Sequence, residues 1–251
     1  MSRRVLRGGD WAAEALAQLP YDTGAALQVH GRLLKRDRHS VVALGELQGE
    51  TCYLKFYAAK NLLQRGLFAL GRGRAIDAYD AAAALTQAGI AVPLAKACLL
   101  LGDGLLLATE GMPDAQDLKA VWVQGAPAAL RQQMLQAAGE TLAALHAAGF
   151  AHGDCKWSNL LWEQNRFFLV DLEAVVRCPK GDRRQARDLA RFTLNAEDLG
   201  VEPRAYQHFL DAYSGCSSIS SADLVEQMRG DLTRLRARHR EKYGERGARL
   251  I

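Results

Sequence analysis

The chain has 251 residues, 49% of them hydrophobic and 24% charged, with a formal net charge of +4. That is ordinary globular composition, which excludes a disordered chain, and the length suffices for one two-lobed domain or two small ones. Five cysteines, at 52, 98, 155, 178 and 216, are scattered without a Cys-x-x-Cys pair, which suits a reducing compartment and no zinc site.

Met1-Ser-Arg-Arg is basic, but the acids Asp10 and Glu14 come too soon after it for the apolar core of a signal peptide, so none is expected. The longest apolar stretch, Ala95–Thr109, is broken by Gly102-Asp103-Gly104 and is too short to span a bilayer. The expected location is the cytoplasm, with any membrane contact peripheral and no nucleic-acid partner.

Residues Trp11–Leu19 are Ala-rich at helical spacing and stop at Pro20. From Ala26 the period changes. Leu27–Leu34 and Val41–Leu47 read as two strands joined by the basic loop Lys35–Ser40, and Gln48-Gly49-Glu50 turns into a third strand, Thr51–Tyr57. The loop is either an exposed hairpin tip or a phosphate-holding element using Lys35, Arg36, Arg38 and Ser40. On the third strand Lys55 shares a face with Tyr53 and Tyr57, opposite Leu54 and Phe56.

Asn61–Arg74 sets Leu62, Leu63, Leu67, Phe68 and Leu70 among Arg65, Arg72 and Arg74 in a glycine-rich setting. It reads as a loop whose apolar residues pack inward. The alternative is a docking surface for a lipid-linked, phosphorylated substrate. Arg74–Ala88 reads as a helix ending at Gly89. Ala97–Leu101 and Leu105–Thr109 then form a hairpin, which ends in the polar break Thr109-Glu110-Gly111-Met112-Pro113. Everything before the break is strand-rich and everything after it is mostly helical, which puts a boundary near residue 112.

Leu130–Phe150 carries Met134, Leu135, Ala138, Leu142 and Leu145 at helical spacing and stops at Gly149. It delivers the polar loop His152-Gly-Asp-Cys-Lys-Trp-Ser-Asn159. Leu160–Trp162 and Phe167–Val170 read as a tight hairpin that brings Asp171 back beside that loop. The residue types suit phosphoryl transfer. A carboxylate accepts the proton of an attacking hydroxyl, an amide oxygen and a second carboxylate hold Mg²⁺, and Lys156 supplies positive charge to the transferring group.

On His152–Leu161, Leu169–Glu173 and Lys55, the sequence resembles the lipopolysaccharide kinase (Kdo/WaaP) family of the protein-kinase-like superfamily. The resemblance implies a bilobal α+β fold, with an antiparallel sheet plus helix in an N-terminal nucleotide-binding lobe (1–112) and a mainly helical catalytic lobe (113–251). It implies Asp154 as catalytic base, Lys156 near the γ-phosphate, Asn159 and Asp171 as Mg²⁺ ligands, and Lys55 on the α- and β-phosphates. Glu110 falls in the hinge whose backbone meets adenine. The implied cofactors are ATP and Mg²⁺. The implied acceptor is a sugar hydroxyl, on heptose or Kdo, of the lipopolysaccharide core or another lipid-linked glycan, met at the cytoplasmic face of the inner membrane.

Three departures stand out. No G-x-G-x-x-G is present, Glu173 replaces the glycine of Asp-Phe-Gly, and Ala78 stands where a helix glutamate would pair with Lys55, with Asp77 and Asp80 beside it. Aminoglycoside-type phosphotransferases share His-Gly-Asp-x-x-x-x-Asn but often have His where Lys156 stands. A pseudokinase binding module is the third reading.

Downstream, Gln185–Leu194, Tyr206–Tyr213 and Ala222–Arg240 read as amphipathic helices. Asp188 either braces the polar loop or forms a surface ion pair. Residues 229–251 carry eight Arg/Lys against three acids, a net +5, and read as a membrane-binding tail or a packed helix.

Overall fold

The computed structural model describes residues 3–102, 104–244 and 247–251. The backbone divides into two units. One holds the chain as far as Gln87 and again Val92–Asp114; the other holds Ala88–Ala91 and the chain from Ala115 onward.

The first unit contains β1 (Arg4–Arg7), α1 (Gly9–Gln18), α2 (Thr23–His30), β2 (Arg32–Asp37), β3 (Ser40–Leu47), β4 (Glu50–Ala58), α3 (Leu62–Ala69), α4 (Arg74–Gln87), β5 (Ala95–Leu100) and β6 (Gly104–Glu110). Its strands form one six-stranded antiparallel sheet in the order β1-β5-β6-β4-β3-β2. Strand alternation gives the sheet two apolar faces. Leu54, Phe56, Leu99 and Leu106 pack with Ala12, Ala15 and Leu27 of α1 and α2. Tyr57, Cys98, Leu105 and Leu107 pack with Phe68 of α3 and Ala75, Ile76 and Ala78 of α4.

Two stretches differ from the reading of the sequence. Leu27–His30, expected as strand, is the end of a helix. Asp22 caps it by accepting from the Ala25 N–H at 3.0 Å. Gly31 closes it, where a Cβ would come within 2.9 Å of the Ala43 side chain. Apolar alternation over so few residues does not separate strand from helix, and the cap decides. Asn61–Arg74, expected as loop, contains α3. Asn61 accepts from the Gln64 N–H at 2.9 Å, and only Phe68 of the apolar residues turns fully inward.

The second unit contains β7 (Gln116–Asp117), α5 (Leu118–Val123), α6 (Ala128–Ala147), β8 (Phe150–Ala151), β9 (Leu160–Glu163), β10 (Arg166–Leu169), β11 (Val176–Arg177), α7 (Arg183–Asp198), α8 (Pro203–Ser217) and α9 (Ser221–Tyr243). Small sheets β10-β9-β7 and β11-β8 sit among the helices. Helix α6 packs on α8 and α7 on α9. Met134, Leu135, Ala138, Leu142 and Leu145 are fully buried, as their spacing predicts. Phe192 stacks on Phe209, and Trp157 lies between Trp122 and Phe192.

The basic C-terminal stretch is largely a packed helix. Ser220 caps α9, accepting from the Asp223 N–H at 3.1 Å, and Leu224, Met228 and Leu232 are buried. Several of its cations serve the fold. Arg236 pairs with Glu197, which also accepts the Leu250 N–H at 2.9 Å. Arg234, with Arg183 of α7, pairs with Asp231. Burial pulls the Asp231 carboxyl upward, yet the two arginines outweigh it and hold it below the ordinary range. Among the described residues no helix is long and apolar enough to cross a membrane.

Candidate active site

Gly149, at φ 81°, ends the turn after α6 and lets the chain reverse into β8. The loop His152–Asn159 comes next, and α7 holds it almost residue by residue. Gln185 donates to the Phe150 carbonyl at 3.2 Å. Asp188, fully buried, accepts the His152 N–H at 2.5 Å and the Gly153 N–H at 2.9 Å. Arg191 pairs with Asp154 Oδ1. Asn195 accepts the Trp157 N–H at 3.0 Å, and the Trp157 indole N–H donates to the Phe192 carbonyl at 3.1 Å. Residues 185, 188, 191 and 195 lie three to four apart, so they form one polar stripe along the helix. The stripe runs parallel to the loop it supports.

The loop is equally tied to the segment that carries Asp171. The buried His152 ring donates its Nε2–H to the Val170 carbonyl at 3.1 Å, and its Nδ1 accepts the Asp154 N–H at 3.4 Å. Burial lowers the His152 pKa against the upward pull of Asp188, which keeps the ring neutral and Nδ1 an acceptor. The β9–β10 hairpin turns through Gln164 and Asn165, both at positive φ, and pairs Leu160 with Leu169. Its register lets the Val170 N–H reach the Asn159 carbonyl at 3.0 Å. Gly153, at φ 79°, abuts the turn after Asp171; a Cβ there would meet the Ala174 carbonyl at 2.3 Å.

Asp154, Lys156, Asn159 and Asp171 therefore belong to one framework. Lys156 Nζ donates to Asp154 Oδ2 at 2.6 Å while remaining half exposed. The Asn159 amide N–H donates to the Asp154 carbonyl at 2.9 Å, which turns its Oδ1 away from the loop backbone. Asp171 sits in the left-handed region, φ 61° and ψ 52°, at the head of a short 3₁₀ turn that includes Glu173. An amide oxygen and a carboxylate are hard oxygen donors of the kind Mg²⁺ takes, so these residues fit that ion.

In the first unit Lys55 lies on β4, between Val42 of β3 and Leu107 of β6, with its ammonium 5.2 Å from the Tyr57 ring centre. Of the two candidate carboxylates on α4, Asp80 is engaged by Arg7 in a two-pronged pair at 2.8 and 3.0 Å. Ala78 is in the core, and Asp77 lies in the first turn of the helix. Glu110 ends β6. Its N–H donates to the Leu94 carbonyl at 2.8 Å and its carboxylate accepts the Leu94 N–H at 3.2 Å. The basic stretch 35–40 is mostly strand, with Arg38 and His39 as a two-residue turn.

Arg191 and Asn195 escaped the reading of the sequence. Their signal is nonetheless present, as Gln185, Asp188, Arg191 and Asn195 keep helical spacing on a face that also carries Leu189 and Phe192 nearby.

An antiparallel sheet with a strand lysine, and a helical unit presenting His-Gly-Asp beside a second hairpin-borne Asp, define a kinase-like protein. The chain belongs to the lipopolysaccharide kinase (Kdo/WaaP) family, whose model matches residues 32–213, more than two thirds of its length. Membership makes it a kinase of lipopolysaccharide biosynthesis at the level of class. A solved structure described as WaaP in complex with acyl carrier protein shares the fold, with a TM-score of 0.65 and 19% identity, over 97% of this chain and 100% of that one. No curated protein matches the chain.

Proposed function

We propose that the protein is an ATP- and Mg²⁺-dependent kinase that phosphorylates a sugar hydroxyl, on heptose or Kdo, of the lipopolysaccharide inner core. The two units are read as a nucleotide-binding lobe to residue 112 and a catalytic lobe beyond it. The observation that carries the reading is the α7 stripe. It fixes the backbone on either side of Asp154, so the carboxylate is placed before any substrate arrives.

Asp154 is the base. Arg191 holds Oδ1, and Oδ2 is covered by Lys156, whose half-exposed side chain is able to swing. As Lys156 moves to the transferring phosphoryl oxygens, Oδ2 opens to accept the proton of the sugar hydroxyl. Asn159 and Asp171 would hold Mg²⁺, which when bound neutralises charge on the phosphate oxygens. Lys55 meets the α- and β-phosphates with Asp77 as its carboxylate partner. The N–H groups of Glu110 and Gly111 are engaged by Leu94 and Thr51 and the Glu110 carbonyl accepts the Thr109 hydroxyl at 3.5 Å, so adenine would meet the hinge backbone around Glu110 by exchanging for one of these contacts. The acceptor would be met at the cytoplasmic face of the inner membrane.

The test is transfer of labelled γ-phosphate to deacylated core oligosaccharide. Asp154→Ala should lower turnover by roughly 10²–10⁴-fold with ATP binding retained. Turnover near that of the parent sinks the mechanism. Transfer to aminoglycosides but not to core sugar moves the protein to the small-molecule class, and nucleotide binding without any turnover makes it a binding module.

A further inference from the structure

Helix α3 is built with its apolar side facing outward. At about 100° per residue, Leu62, Leu63, Leu67 and Leu70 fall within one arc of roughly 140°, with Phe68 on the opposite side. Phe68 is the residue that enters the sheet cluster, with Tyr57 and Leu105. The four leucines are 79%, 75%, 39% and 75% exposed. A helix on a water-soluble surface ordinarily turns such an arc toward the core. Contiguous leucines left in water mark a surface that something covers.

Charge identifies what covers it. Between Glu50 and Asp77 the chain has no acidic residue, but it has Lys55, Lys60, Arg65, Arg72 and Arg74. Lys60 and Arg72 are exposed just beyond the two ends of the helix. Leucines flanked by cations, in a stretch of chain without an acid, match a boundary where hydrocarbon lies beneath negative headgroups. The basic C-terminal helix fits worse, since Leu224, Met228 and Leu232 point into the fold and Arg234 and Arg236 are engaged by Asp231 and Glu197.

We propose that α3 is a membrane-docking element. It seats Leu62, Leu63, Leu67 and Leu70 in the acyl layer of an anionic bilayer and sets Lys60 and Arg72 among headgroup phosphates. The choice of a lipid surface over a protein groove rests partly on the lipopolysaccharide-kinase reading, because a lipid-anchored acceptor is met at a bilayer.

Sedimentation of the full chain with phosphatidylglycerol–phosphatidylcholine vesicles tests this. The parent should bind, more weakly at high salt and on pure phosphatidylcholine. The triple variant L62S/L63S/L70S should bind about tenfold or more weakly, with an unchanged melting temperature because those side chains are exposed. Leu63→Trp should gain fluorescence that brominated lipid quenches. No vesicle binding by the parent, equal binding by the triple variant, or an unquenched Trp at 63 each overturns the proposal. A partner protein on this face would produce the first of those results. Transfer to soluble deacylated core should persist in the triple variant. Its absence in every variant and the parent, with vesicle binding intact, would strike the kinase reading and leave the docking element standing.

Discussion

The loop His152–Asn159 and the turn between β2 and β3 are both short polar connections, yet they are held in opposite ways. In the loop, three backbone N–H groups are taken by side chains of α7, and His152 and Trp157 are fully buried. In the hairpin, β2 is exposed along its whole length; the His39 carbonyl accepts the Ala58 N–H at 3.0 Å, and the side-chain ties near the turn are Lys35 to Asp37 at 3.2 Å and Ser40 to the same carboxylate at 3.5 Å. An exposed pair of that kind stabilises little. One connection is held rigidly by buried partners, and the other is left adjustable at the surface. In the proposed mechanism the rigid element places the base, and the adjustable one is either a solvated hairpin tip or a phosphate-holding element.

Breaking the rigid side should have the largest effect. Asp188→Ala removes one buried carboxylate and strands the buried His152 N–H, at a cost of about 1–3 kcal/mol, together with the part-buried Gly153 N–H. Stability to denaturant and phosphotransfer should fall together, and amide exchange at His152 and Gly153 should accelerate. Asp188→Asn keeps one acceptor oxygen but presents an NH₂ group to the other N–H, so it should restore only part of the loss. Unchanged exchange at those amides in Asp188→Ala would show that α7 does not hold the loop.

The same contrast explains what was legible in the sequence. Polar residues whose chemistry depends on local spacing, His152–Asn159 and the hairpin to Asp171, stand out because they follow one another along the chain as a motif. The α6 helix and the sheet were equally readable, since buried faces impose periods of 3.6 and 2. Leu27–His30 misled because the cap at Asp22 outweighs four residues of alternation. Asn61–Arg74 misled in the other direction: its leucines signalled burial, but burial is decided by Phe68 alone. Arg191 was invisible as a partner of Asp154, because the residues joining a helix to a loop are separated along the chain and only the fold brings them together. The pairing of Asp80 with Arg7, far upstream, was hidden for the same reason.

A second way to sharpen the comparison is pH. His152 is buried neutral with a lowered pKa, whereas in the unfolded chain an imidazole titrates near 6.5. Below about 6.5 the unfolded state binds the extra proton and the folded state does not, so this residue's contribution is fully present above that pH and is lost as pH falls toward the native pKa. The slope from one such group approaches 1.4 kcal/mol per pH unit at most. Denaturant midpoints between pH 7.5 and 5 should therefore decline more steeply for the parent than for His152→Gln. Parallel curves would mean that the ring is not buried neutral.

The smallest effect belongs to the adjustable side. Arg36 lies on β2 and Arg38 in the turn, both exposed. Replacing both with Ala removes no buried contact, so stability should stay within about 0.5 kcal/mol of the parent. If the hairpin closes over nucleotide phosphates, these cations act only on bound ATP. They should then change the Michaelis constant for ATP by a few fold, as uniform binding energy does, and leave kcat nearly untouched. Raising the ionic strength should shrink the difference between parent and variant, because the interaction is exposed and screened. Initial-rate kinetics at two salt concentrations decide the matter. An unchanged Michaelis constant would make the hairpin a solvated tip with no part in nucleotide binding. A fall in kcat instead would mean that the turn acts on the reacting phosphate, and the division between a fixed loop and an adjustable hairpin would have to be redrawn.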